Sequence, residues 1–174
     1  MMQRKFSYAK NVRYVIGDVR DYPRMLETMR GVDYVFHMAA LKHVPVCEEH
    51  PWESVQTNIE GTENVIKAAI ACDVKLVADV STDKACNPIN VYGSCKSVGE
   101  RLIIQANKKS KGTRFACVRA GNVMGTNGSV IPFFKGLLKE GKTLPITHME
   151  MTRYFMTLQE AIGLLFKAIE SCHG

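Results

Sequence analysis

The sequence predicts an α/β fold built on a doubly wound parallel sheet, and three observations carry that expectation. Four β-branched apolar runs, "VRYVIGDV" (12–19), "VDYVFHMAA" (32–40), "VKLVADVS" (74–81) and "RFACVRAGN" (114–122), have the continuous apolar character of strands buried on both faces. Helical patterns alternate with them, and repeated strand–helix–strand units imply right-handed crossovers between parallel strands. At 174 residues, 46% hydrophobic and 23% charged, the chain suits one core and is unlike a disordered or collagen-like sequence.

The first predicted helix follows Asp21 as N-cap, has Pro23 in its first turn and stops before Gly31. The second runs from about Pro51 to Cys72, with Val55, Ile59, Ile66, Ala69 and Ile70 spaced for one buried face. The third runs from about Val91 to Lys109. After residue 122 the pattern changes to a glycine-rich loop, "GNVMGTNGS", then a helix in "VIPFFKGLLKEG". A capping box, "TLQE", in which Thr157 and Glu160 bond each other's backbone N–H groups, opens a final helix. With no repeat, low-complexity segment or linker, one domain over residues 1–174 is expected.

Several function classes are disfavoured by composition. No apolar run approaches the roughly 18 residues of a membrane span, and "MMQRKFSYAK" lacks the apolar segment of a signal peptide, so a cytoplasmic protein is expected. Cysteines 47, 72, 86, 95, 117 and 172 form neither a C-x-x-C pair nor a zinc-type spacing with histidine, which predicts reduced thiols, no disulfide and no metal. The net charge is +6, but the basic run Lys108, Lys109 and Lys111 has no interleaved aromatics, as expected of a solvated helix end rather than a nucleic-acid surface. A small phosphorylated ligand is compatible with that charge. No strand followed by G-x-G-x-x-G opens the chain, and Gly121, Gly125 and Gly128 have the wrong spacing for that fingerprint.

The chemistry concentrates in "STDKACNPINVYGSCK" (81–96). Tyr92 and Lys96, four apart on one helix face, can act together, because a nearby ammonium lowers a phenol's pKa by about 1 to 3 units. Thr82 ends the preceding strand at the carboxyl edge, where ligands of open α/β sheets bind, and its hydroxyl could hold the same substrate oxygen. Y-x-x-x-K is common by chance, and a surface histidine at 43 or a core histidine at 37 needs no function; the context gives the motif its weight.

That context, with "ALKHVPVCEEHP", "TNIEGTENVI", "STDKACNPINVYG", "GNVMGTNGSVIPFF" and "MTRYFMT" in order, resembles the extended short-chain dehydrogenase/reductase superfamily and, within it, the UDP-N-acetylglucosamine 4,6-dehydratases of bacterial polysaccharide synthesis. The resemblance runs from about Val12 to Cys172 and implies a Rossmann-like domain that binds NADP or NAD. It implies a nucleotide sugar, UDP-N-acetylglucosamine or a relative, as partner, with residues from about 122 onward on the substrate side, and a homo-oligomer. In such enzymes the tyrosine, here Tyr92, takes the C4 hydroxyl proton as hydride leaves C4. Lys84 and Asp83 then supply the base for C5 and the acid for the departing C6 hydroxyl, so Thr82, Asp83, Lys84, Tyr92 and Lys96 form the implied catalytic set. By the same matching Asp18, Val19, Ala39, Ala40, Asn58, Tyr92 and Lys96 face the cofactor, and Lys42, His43, Asn122 and Arg153 face the substrate.

The family usually has a first strand, glycine-rich turn and second strand before "GDVRD" and a substrate lobe after the last motif, so the chain is expected to be truncated at both ends. Weak NADP(H) binding is expected of the 174 residues for that reason. Two alternatives stay open: a non-catalytic remnant that self-associates through its second and third helices, and a related sugar epimerase, which would leave the Asp83–Lys84 pair without a task.

Overall fold

The computed structural model describes residues 11–126, 129–146 and 148–172, so Gly128 of the glycine-rich loop lies outside the described residues. In chain order the elements are α1 (Tyr22–Met29), β1 (Tyr34–His37), α2 (Val44–Glu49), α3 (Pro51–Val55), a π-turn (Gln56–Glu60), α4 (Gly61–Ala71), β2 (Leu76–Thr82), a 3₁₀ turn (Asp83–Ala85) and α5 (Val91–Lys109). They continue with β3 (Arg114–Ala120), β4 (Asn122–Val123), α6 (Val130–Lys139), β5 (Phe155–Met156) and α7 (Leu158–Ser171).

Strands β1, β2 and β3 form a parallel sheet in that order, in register Val35↔Val77↔Phe115 and His37↔Asp79↔Cys117. Side chains alternate between the faces of a strand, and the two faces meet different helices. His37 reaches Thr62 of α4 on one side, while Phe36 packs edge-on against Phe166 of α7 on the other, ring centroids 6.0 Å apart. The core lies on the α4/α5 side, where Val65, Ile66, Ala69, Val77, Ile103 and Phe115 are buried together. The fold is thus the expected Rossmann-type arrangement, with helices over both faces of a parallel sheet. A second, two-stranded parallel pairing joins β4 to β5.

Local signals act as the sequence suggests. The Asp21 side chain accepts from Arg24 N to start α1, Gly31 leaves that helix at φ 73°, α5 spans the predicted residues, and Thr157 with Glu160 completes both bonds of the capping box.

Two expectations fail. Residues 12–18 form no strand but an exposed segment, with Ile16 93% exposed. A β-branched run becomes a strand only where a neighbour accepts its ladder bonds, and among the described residues this one has none. Its end is tied to helices instead: Asn64 of α4 donates to the Val19 and Arg20 carbonyls. The second helix also buries a different stripe from the predicted one. Ser54, Asn58, Thr62, Val65, Ile66 and Ala69 are buried, whereas Ile70 is exposed and Val55 and Ile59 are only half-covered. A π-turn interrupts this helix at Gln56–Glu60.

Candidate active site

The site forms at the carboxyl edge of the sheet. Thr82 is the last residue of β2, and its hydroxyl accepts from Lys84 N to open the 3₁₀ turn while donating to Asp83 Oδ1 at 3.0 Å. Asn90 then caps α5 by accepting from Gly93 N at 2.8 Å. Glu48 of α2 accepts from Val91 N at 2.7 Å, so the start of α5 is held from two sides. Gly93 is required by closeness: a Cβ there would meet the Lys84 carbonyl oxygen. This approach sets Tyr92, in the first turn of α5, beside Thr82.

A cavity of about 590 Å³ opens at this edge. Thr82, Lys84 and Tyr92 line one wall, and Lys42, His43, Asn122 and Arg153 also face it. The structure therefore brings together four of the residues matched to substrate and three of those matched to catalysis. Lys84 Nζ donates to Asp83 Oδ1 at 3.0 Å and to Asn122 Oδ1 at 3.4 Å, and Asn122 is itself fixed by bonding Tyr154 O through its backbone N–H at 2.8 Å. Arg153 donates to Thr152 O at 2.7 Å.

The remaining matched residues are placed differently. Ala39 and Ala40 are exposed just past the end of β1, small side chains on the edge where a flat ring could lie. Asn58 is 1% exposed and its amide is fully engaged: Oδ1 accepts from Leu41 N, and Nδ2 donates to Leu41 O and Ser54 Oγ. It shapes the 39–43 loop from behind. Asp18 is exposed, and its carboxylate is gripped by the Arg20 guanidinium, which holds the carboxyl below its ordinary range. Val19 is half-covered, against Gly61 of α4.

The electrostatics correct one expectation, that of a lowered Tyr92 phenol. Burial raises the Tyr92 phenol, and a hydrogen bond with Thr82 offsets this only in part, so its pKa stands above the ordinary value rather than below it. Lys96 is buried, with Nζ 3.5 Å from both carboxylate oxygens of Asp79. For Asp83, burial pulls upward, but the bond and charge of Lys84 with the Thr82 hydroxyl outweigh it and hold the carboxyl below its usual range. Asp83 and Lys84 are therefore an ion pair in this state, not the neutral acid and base that elimination asks for.

Sequence inspection passed over Glu48, Gly93 and Asp79. Asp79 had a readable signal, since a carboxylate inside an otherwise apolar strand must find a partner. Glu48 and Gly93 had none, because each matters through a contact distant in sequence or invisible in residue type.

Comparison with known proteins gives the lineage. The profile of the family described as polysaccharide biosynthesis protein matches residues 1–174. The chain belongs to that family. It is 48% identical over 166 residues to a UDP-N-acetylglucosamine 4,6-dehydratase (inverting) of Campylobacter jejuni, covering 94% of this chain and 50% of the relative. It is 49% identical over 164 residues to a UDP-glucose 4-epimerase of Rickettsia conorii, covering 93% of this chain and 48% of that protein. The chain thus spans about half the length of the curated relatives it matches. Among solved structures, Pen from Bacillus thuringiensis superposes with a TM-score of 0.94 at 48% identity, over 99% of this chain and 56% of that one. A dTDP-glucose 4,6-dehydratase from Streptomyces venezuelae with NAD bound superposes at 0.83 with 23% identity, over 91% and 54%, and shares the fold.

Proposed function

We propose that this chain carries the catalytic core of a nucleotide-sugar 4,6-dehydratase acting on UDP-N-acetylglucosamine or a close relative, with NADP or NAD as cofactor. The observation that carries this is the cavity in which Thr82, Tyr92 and the bonded Asp83–Lys84 pair adjoin the cations Lys42 and Arg153. A proton acceptor, an acid–base pair and groups suited to a diphosphate in one cleft are what oxidation followed by elimination needs.

The described residues fit a nicotinamide end: Thr82, Tyr92 and the open edge at Ala39 and Ala40 lie together at the ends of β1 and β2. The bound cofactor would supply a hydride acceptor for C4 and later a donor for C6. Tyr92, as its phenolate, accepts the C4 hydroxyl proton while Thr82 holds that oxygen. The resulting C4 ketone acidifies the C5 hydrogen, which Lys84 removes as Asp83 protonates the departing C6 hydroxyl. One proton transfer along the 3.0 Å Nζ–Oδ1 bond turns the ion pair into an amine and a carboxylic acid at once. Substrate that excludes water favours that neutral form, because desolvation penalises both charges. Asn122 keeps Nζ aimed into the cleft throughout.

The Rickettsia relatives named epimerases favour a second reading, in which Tyr92 and Thr82 serve oxidation at C4 and no water leaves. Incubation of the protein with UDP-N-acetylglucosamine and NADP⁺, read by mass spectrometry, separates them. Loss of one water with C5 hydrogen exchanged for solvent deuterium is the expected product; an isomer of unchanged mass would overturn the dehydratase.

We further infer a cytoplasmic homo-oligomer assembled through α4 and α5. Ile70 and Ile104 are exposed there, beside a cavity of about 480 Å³ lined by Ile66 and Leu102. Among the described residues no helix is long and apolar enough to cross a membrane. Light scattering should give a mass above that of the 19.5 kDa chain; a sharp monomer at high concentration counts against assembly.

A further inference from the structure

The first turn of α5 carries Tyr92, and its own cap does not fix where that turn sits. Asn90 accepts from Gly93 N at 2.8 Å, a bond inside the helix start that sets local dihedrals and leaves the helix free to shift as a body. The backbone N–H of Val91, one of the donors that a helix start leaves without an internal partner, is taken from outside. Glu48 Oε1 accepts it at 2.7 Å, across 43 residues of sequence. The residue before Glu48 does the same for another wall of the cleft. Cys47 is 1% exposed, and its Sγ donates to the Leu41 carbonyl at 3.6 Å, next to Lys42 and His43, which face the cavity. Two successive residues of α2 thus hold two segments that line the cleft, while the Lys84 carbonyl backs the same turn of α5 at Gly93.

We propose that Glu48 is a positioning residue: it fixes the first turn of α5, and with it Tyr92, against the wall that carries Lys42 and His43. That role rests on the reading of the cleft as a site of sugar oxidation. A carboxylate suits it, because a charge-assisted bond to a backbone N–H is short and strong, and the peptide dipoles favour negative charge at a helix N-terminus. Glu48 is exposed, so water can satisfy Val91 N when the side chain is removed. The bond therefore contributes more to where the helix starts than to whether the chain folds. The two glutamates of "CEEH" are not equivalent: Glu49 is turned to His50, with Oε1 4.0 Å from Nε2, and only Glu48 reaches α5.

In the whole chain, without sugar or cofactor, amide hydrogen exchange read by NMR should be slow at Val91. In E48A it should speed up by about tenfold or more, the equivalent of one hydrogen bond to a charged group. It should stay slow in E48Q, whose amide oxygen still accepts the bond, and in the control E49A. The Tyr92 ring, whose hydrogen-bonding neighbour is Thr82, should show through-space contact with the Thr82 methyl in the parent, E48Q and E49A and lose it in E48A. Urea midpoints of all four should stay close. Retention of the slow exchange or of the ring contact in E48A overturns the proposal, and so does an E48Q that behaves like E48A. With UDP-N-acetylglucosamine and NADP⁺, E48A should lower kcat by about tenfold or more at unchanged KM, since a misplacement of about 1 Å can cost about 10²-fold, and E48Q should restore it. Parent kcat in E48A also overturns the proposal. A parent chain that oxidises no nucleotide sugar would sink the reading of the cleft alone, and the exchange and ring contact would still decide the role of Glu48.

Discussion

Residues 34–120 and residues 121–172 contain equally apolar helices with opposite fates. In α4 six of eleven residues are buried, Val65, Ile66, Ala68 and Ala69 among them, while α6 and α7 bury none, and Phe133, Leu138, Leu158 and Phe166 remain well exposed. The difference lies in what faces each helix. α4 packs against α1, α5 and β1, whereas α7 meets β2 and β3 and, among the described residues, α6 has no comparably close neighbour. An amphipathic pattern thus names the face a helix could bury, and only an opposing layer buries it. The active site lies on the seam: Thr82 and Tyr92 come from the well-packed part, Asn122 and Arg153 from the other, and the 3.4 Å bond from Lys84 to Asn122 crosses between them.

The sharpest way to break this comparison is paired truncation. Ile103→Ala, at a position 1% exposed, should cost about 2–5 kcal/mol of unfolding free energy in urea titration. Leu138→Ala in α6 should cost within about 0.5 kcal/mol. Equal losses would mean that α6 is as well packed as α5.

Gly93→Ala comes next, because the added methyl must push the start of α5 off the Lys84 carbonyl. A loss of about 1–3 kcal/mol is expected for such overpacking. Turnover should fall further than stability accounts for, as Tyr92 moves with the helix. A variant with parent activity would show that the close approach does not position the phenol.

A smaller effect should appear with pH. Burial, against an opposing pull from Asp79 and with a smaller push from the Lys96 charge, holds His37 below its ordinary value. The unfolded chain therefore binds that proton first, near pH 6.5. Stability is full above this value and is lost as pH falls through the lower folded pKa. Urea midpoints at pH 7.5 and 5.5 should differ in the parent and converge in His37→Gln.

The smallest stability change should come from Lys84→Ala, since the pair it breaks is about a third exposed on each side and such pairs contribute about 0–1 kcal/mol. Its kinetic effect should be large and selective: C4 oxidation, read as reduced nicotinamide in a single turnover, persists, while C5 hydrogen exchange is lost. Exchange at the parent rate would remove Lys84 from the role of base.

Periodicity, caps and glycines made the strands at 34–37, 76–82 and 114–120, and helices such as α5, legible from residues alone, because each depends on neighbours within one or two turns. The polar set of "STDK" and "VYGSCK" was likewise visible, together with the edge of the sheet on which it would sit. The fate of 12–19 was not, since a strand exists only by pairing with another. Nor was the buried stripe of residues 54–69, because its members Ser54, Asn58 and Thr62 are polar and are buried with hydrogen-bond partners that only the folded chain supplies. Above all, the charge states of the site were decided by tertiary contacts. Lys96 is four residues from Tyr92 in sequence, but it faces a carboxylate seventeen residues away, and Asp83 is ionised because the turn that Thr82 caps lays Lys84 across it. Sequence determines which ionisable groups a site contains; their protonation follows from burial and the distance to the nearest opposite charge, and both are properties of the packed chain.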